Sequence, residues 1–243
     1  MDLFTIQSLM LVLIGIVAAI LGVMFGAAGF VMLPAMLLLG IPIHASVAVN
    51  KFATGVSSFT TIIGLVVKKK VAVRELAPYM VLSSIGGGFG AFIATRFDDR
   101  TMNVIGCVIL IVVFIIVLKP VKPLVTKVKP PKLLAAFIGS YDGALGPGSG
   151  SMYITYFSKS GEDYIDAAQK TRFLMFASCM SAFLFYWVYG IVQWELAIPL
   201  TVGSIIGSYI AVRLMPYLNP KWMRVILPVI FAILIVQVVG KLV

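Results

Sequence analysis

Few side chains in this 243-residue sequence could act on a solute, and the most suggestive of them sits in a stretch unsuited to regular helix. Tyr141-Asp142-Gly143-Ala144-Leu145-Gly146-Pro147-Gly148-Ser149-Gly150-Ser151 lies between apolar segments and holds four glycines, a proline and one acid. Glycine and proline release the backbone from regular helix, and inside a membrane such backbone persists only where it is buried in protein or lines a cavity. On its own the stretch would suit a loop at the membrane surface equally well. A helix broken here aims the positive N-terminal end of the next segment at a ligand, with Gly148, Ser149, Gly150 and Ser151 around it. Gly29 occupies the matching place in the first half of the chain. Asp142 has two readings of equal weight. It can face a cavity and carry a proton, since an ionisable group in a membrane segment is costly without such a role. Equally, it can cap the glycine turn by accepting hydrogen bonds from its amides.

The second group is basic. Lys51 follows Asn50, Arg172 follows Thr171, and the two pairs share one offset (172 − 51 = 121). A basic residue at the bilayer centre costs about 2.5–3.5 kcal/mol on insertion scales, so two at matching positions call for a shared partner. No acid aligns with both, which makes a bound anion the simplest candidate. Arg172 can hold an oxyanion bidentately while Lys51 serves as a point charge, and Asn50 and Thr171 can donate further hydrogen bonds. The competing reading is snorkelling to the headgroups, because each residue lies within about two turns of a span's start; for Lys170 it is the favoured one.

Other chemistries find little footing. His44, the one histidine, falls at a predicted helix end where a surface or capping role is expected. There is no HExxH, and Gly148-Ser149-Gly150-Ser151 lacks the spacing and the strand-turn-helix context of a nucleophile elbow. The glycine-rich run also lacks the Lys and Ser/Thr of a phosphate-binding loop. Cys107 and Cys179 both fall in apolar helical stretches, where they behave as small buried hydrophobes. No catalytic residue, metal or cofactor is expected, and an intramembrane enzyme is the minority reading.

These residues need elements that hold them inside a bilayer, and the composition supplies such elements. With 61% hydrophobic and 12% charged residues and a mean hydropathy of +1.09, the fold class is an all-α polytopic membrane protein. The net charge of +10 could suggest nucleic acid. Its carriers, however, cluster in short loops between apolar spans, as the positive-inside rule produces, so a lipid bilayer and no nucleic acid is the expected surrounding. The N-terminus lacks a basic n-region and is read as a retained membrane segment.

The chain divides into a first inverted repeat at 1–118, a basic cytoplasmic linker at 119–131 and a second inverted repeat at 132–243. Gly22, Gly29, Phe52 and Ser57 fall opposite Gly143, Gly150, Phe173 and Ser178 at the constant offset, and Gly86/Gly90 matches Gly203/Gly207 after a gap of four residues. These GxxxG pairs serve close helix packing. Each half reads as a broken helical hairpin plus three transmembrane helices. The pairs are about 5–24 with 29–40 and about 133–146 with 150–158. The spans are about 45–67, 73–96 and 101–118, then about 167–190, 195–214 and 220–241. The second members of the pairs are too short to cross upright, which favours re-entrant hairpins over tilted full spans. Lys68, Lys69, Lys70 and Arg74 place the loop after the first full span in the cytoplasm, whereas its counterpart from Gly190 to Glu195 has no basic residue. The halves then face opposite ways and both termini are external.

The doubled pattern of a Gly-rich turn, a short helix and a following span resembles the sulfite exporter TauE/SafE family. The likeness covers nearly the whole chain. It is carried most specifically by Tyr141-Asp142-Gly143-x-x-Gly146-Pro147-Gly148-x-Gly150-Ser151, with Ala48-Val49-Asn50-Lys51-Phe52 in support. The first repeat departs from the family's usual Gly-x-Gly-Gly-Gly, having Phe25, Gly26, Ala27, Ala28 and Gly29. The resemblance implies a multi-pass inner-membrane transporter for small sulfur-containing anions such as sulfite, sulfonates or sulfoacetate. The expected function is outward, proton-coupled secondary transport of such an anion, with self-association left open. A passive anion channel and a non-transporting membrane assembly or redox-partner protein are the alternatives.

Overall fold

A computed structural model describes residues 6–67, 73–102, 104–105 and 129–217. Among these residues every regular element is helical, as the hydropathy requires: in lipid, a helix satisfies its own backbone. The helices are α1 (Ile6–Phe25), α2 (Ala28–Leu38), α3 (Ile43–Val67), α4 (Val73–Ala94), α5 (Lys132–Ala144), α6 (Ser149–Lys159), α7 (Tyr164–Val188) and α8 (Trp194–Leu214). The predicted third span of each half lies outside the described residues, apart from 101–102 and 104–105. The same holds for Lys68–Lys70, most of the linker and Cys107. Four helices, α1, α4, α7 and α8, are long and apolar enough to cross a bilayer. α3 matches α7 in length at 25 residues but carries Asn50, Lys51 and a series of serines and threonines. Rows of large side chains face outward at helical spacing, Leu9, Leu13 and Val17 on α1 and Val81, Ile85 and Phe89 on α4. Such stripes suit a lipid surrounding.

Shifting α2 and α3 by 121 positions reproduces the bounds of α6 and α7 residue for residue. α2 and α6 have 11 residues each, about 16 Å of rise and roughly half a bilayer core. The breaks ahead of them rest on left-handed glycines, Gly26 at φ 71° and Gly148 at φ 84°, a conformation that a side chain would strain. The two halves differ in how the first helix ends. α1 runs for 20 residues to Phe25, whereas α5 stops after 13 and gives way to the four-residue turn Leu145–Gly148.

Two glycine seams tie the halves together. A Cβ on Gly86 or Gly90 of α4 would overlap the α5 backbone at Ala136 and Ser140, and one on Gly203 or Gly207 of α8 would overlap the α1 backbone at Val12 and Ile16. Both GxxxG pairs therefore pack helix on helix, as expected. Between the seams, α3 crosses α7. Phe52 meets Phe183 at 4.8 Å between ring centroids, and Phe59 stacks on Phe176 at 5.4 Å. Gly55 lies under the Met180 side chain. Numbers climb along α3 as they fall along α7, so these equivalent helices run antiparallel, the relation that inverted halves demand. The crossing brings the starts of α2 and α6 face to face.

Candidate functional site

The site is built where the two helix breaks meet. Gly26 packs against the backbone of Gly150 and Ser151 so closely that neither Gly26 nor Gly150 has room for a Cβ, and a Cβ on Gly29 would stand 3.0 Å from Pro147 Cα. Ser151 Oγ donates to Phe25 O at 2.8 Å, fastening one break to the other. Tyr141 closes the second turn by donating from its hydroxyl to Pro147 O. Beside this junction is an enclosed cavity lined by Gly22, Gly26, Ala28, Gly29, Asn50, Lys51, Thr54, Asp142, Gly146, Ser149, Arg172 and Met175. Its room is at most about that of one water molecule. Three pairs of these residues sit at the offset of 121 positions, Ala28 with Ser149, Lys51 with Arg172 and Thr54 with Met175. The cavity therefore straddles the relation between the halves.

Of the residues singled out from the sequence, Gly29, Asn50, Lys51, Asp142, Ser149 and Arg172 come together here. Four others do not line the space. Thr171 is buried and returns its hydroxyl to Ala167 O at 2.8 Å, while Gly148, Gly150 and Ser151 build the turn and the inter-break contact. Thr54 and Met175 were not anticipated. Each follows the basic residue of its helix by three positions, so the offset that selected Lys51 and Arg172 would have selected them too. Lys170, by contrast, pairs with Glu162 at 2.6 Å in a partly exposed setting. His44 bridges two segments, with Nδ1 2.5 Å from Asp99 Oδ1 and Nε2 3.1 Å from Ala94 O.

Neither basic residue of the site snorkels: Lys51 is 1% and Arg172 2% exposed. No acid pairs with both among the described residues, but one pairs with Lys51, whose ammonium lies 3.0 Å from Asp142 Oδ1. Lys51 reaches across from α3 into a notch at Gly146, where any Cβ would collide with Nζ. Among the described residues Asp142 is held by side chains and not by turn amides. Ser149 Oγ stands 2.6 Å from Oδ1, and Ser178 Oγ and Cys179 Sγ stand 2.6 and 3.2 Å from Oδ2. Donors from three helices thus surround this one carboxyl group.

Arg172 is the exception. Its Nε and Nη2 are buried without a hydrogen-bond partner among the described residues, although a buried guanidinium that donates to nothing is costly. Asn50 accepts from Thr54 Oγ1 at 2.8 Å through its own Oδ1, which leaves its NH2 group available as a donor. The first residues of α2 and α6 also line the cavity and bring the partial positive charge of two helix N-termini. The arrangement offers cationic and neutral donors and one acid that is already engaged. It suits a small anion. Among the described residues there is no group of three or more His, Cys, Asp or Glu placed to hold a metal ion.

The profile of the family described as sulfite exporter TauE/SafE matches residues 11–238. A probable membrane transporter protein of Sinorhizobium sp is 28% identical over 217 residues, covering 84% of this chain and 80% of the relative. One from Haemophilus influenzae is 22% identical, covering 83% of this chain and 82% of the relative. One from Escherichia coli is 22% identical, with 96% and 91% covered. No solved structure matches the chain.

Proposed function

The chain belongs to the sulfite exporter TauE/SafE family, and from that premise we propose that it is a secondary transporter of a small anion, a sulfur oxyanion or organosulfonate such as sulfite or sulfoacetate. In this reading the protein lies in the cytoplasmic membrane with both termini external, moves its substrate outward and couples that movement to protons at Asp142. The observation that carries the reading is the buried Arg172, whose Nε and Nη2 have no hydrogen-bond partner among the described residues, on a cavity that the first residues of α2 and α6 also line. A planar fork of donors with nothing to bind is the natural receptor for an oxyanion, and Lys51 and the Asn50 amide stand within the same lining. The enclosure favours a carrier over a passive channel, because the walls must part before any oxyanion enters.

The test is ligand-dependent stabilisation of the purified protein. Sulfite, methanesulfonate or sulfoacetate at about 100 times its Kd should raise the unfolding free energy by about 2.7 kcal/mol. Arg172→Met should fold and lose that response by at least tenfold in affinity, with Arg172→Lys intermediate because a point charge replaces a bidentate fork. Equal stabilisation of the parent and Arg172→Met by every anion that binds would remove Arg172 from the site.

A further inference from the structure

We propose that this site takes a monovalent anion without a proton but a divalent anion only together with one, the proton residing on Asp142. The inference rests on the anion-binding reading above and follows from counting charges inside the enclosure. Three ionisable groups of fixed sign line the cavity, Lys51, Arg172 and Asp142, so its net charge is one positive. Among the described residues no neighbouring helix adds another to the lining. α1 and α2 contain no charged residue, α4 has none after Glu75, and those of α6 and α8 lie at their ends, Lys159, Glu195 and Arg213. Lys132 begins α5, His44 near the start of α3 meets Asp99, and on α7 Asp166 and Lys170 precede Arg172, with Lys170 paired to Glu162. The other titratable groups around Asp142 are tyrosines and a cysteine, types that are ordinarily neutral near pH 7: Tyr141 on α5, Tyr153 on α6, and Cys179 and Tyr186 on α7. Ser83 and Gly87 are what α4 presents there.

A monovalent anion on Arg172 brings the enclosure to neutrality and leaves the Lys51–Asp142 pair intact. A divalent anion leaves it one charge negative, and in a region of low dielectric such an excess is expensive. Asp142 is the one acid that can absorb it. On protonation its carboxyl no longer needs the ammonium, Lys51 is released to the second charge of the anion, and the neutral acid can donate to Ser149 or Ser178, whose hydroxyls rotate to accept. The balance is simple: one divalent anion and one proton enter from solvent, the proton goes to an Asp142 oxygen, and no bond in the anion changes. Either loaded form then carries the same single negative charge across the membrane.

The experiment is calorimetric titration of the full chain in detergent with two anions whose charge is constant across the range, methanesulfonate (monovalent) and sulfate (divalent), between roughly pH 5.5 and 8. Methanesulfonate affinity should stay within about twofold. Sulfate affinity should fall as pH rises by up to about tenfold per unit, the limit for uptake of one proton. Titration in two buffers of different ionisation enthalpy should read one proton taken up per sulfate and none per methanesulfonate. Asp142→Asn should make sulfate binding independent of pH, while the two-anion comparison on the unaltered protein needs no variant to fold. Binding of both anions with a common pH dependence, or refusal of sulfate even at the lowest pH, overturns the proposal and leaves the anion site standing. Binding of neither overturns the anion site and the proposal with it.

Discussion

At the scale of single residues, the centre of the site is an ion pair that stabilises only as a pair. Lys51 and Asp142 are both almost fully buried and 3.0 Å apart. Two desolvated charges roughly offset their own cost, whereas removing one strands the other. Lys51→Met alone should therefore destabilise the protein by about 3–5 kcal/mol. Adding Asp142→Asn should recover much of that loss, as a double-mutant cycle on thermal unfolding would show. Additive losses would mean that the two side chains do not meet. The sequence made Lys51 and Arg172 conspicuous, because an offset shared with many glycines leads straight to them. It could not show the Lys51 partner. Asp142 lies 91 positions away, and neither periodicity nor repeat relates them: the residue that matches Asp142 at the offset of 121 is Leu21, which carries no charge. The pair breaks the symmetry of the repeat, which is why a symmetry argument missed it.

At the scale of elements, far more was legible. Predicted spans at about 45–67, 73–96, 167–190 and 195–214 became α3 at Ile43–Val67, α4 at Val73–Ala94, α7 at Tyr164–Val188 and α8 at Trp194–Leu214. Long apolar runs flanked by loops leave little freedom in lipid. What periodicity could not supply was the end of each broken helix, since Gly22 and Gly143 align in sequence while α1 runs two residues past the point that matches the end of α5. The antiparallel crossing of α3 and α7 gives a direct test of orientation. Val67 and Val188 end their helices at equivalent positions, and both are largely exposed, 76% and 80%. Single cysteines there should react with a membrane-impermeant thiol reagent from opposite sides, the one at Val67 from the cytoplasm. Labelling of both from one side would contradict the inversion of the two halves.

At the scale of the whole molecule, the distribution of glycine separates what can move from what cannot. α1 with α8 and α4 with α5 touch backbone to backbone along their seams, and pairs so close should travel as units. The cavity lies off these seams, against α3 and α7, whose mutual contact is made by longer side chains such as Phe59, Phe176 and Met180. An enclosed site that serves two sides of a membrane must open to each in turn, so α3 should shift against the neighbouring unit. A hydroxyl pair marks that boundary: Ser57 on α3 and Ser208 on α8 place their Oγ atoms 2.5 Å apart and fully buried. Cysteines at both positions, with Cys107 and Cys179 replaced by serine, have side chains close enough for a disulfide. Oxidation of Ser57→Cys/Ser208→Cys should stop anion counterflow in proteoliposomes by at least tenfold, reduction should restore it, and the oxidised protein should still be stabilised by the anion. Loss of binding as well as counterflow would point to a distorted cavity, and counterflow that continues at the parent rate through the closed disulfide would place the moving boundary elsewhere than between α3 and α8.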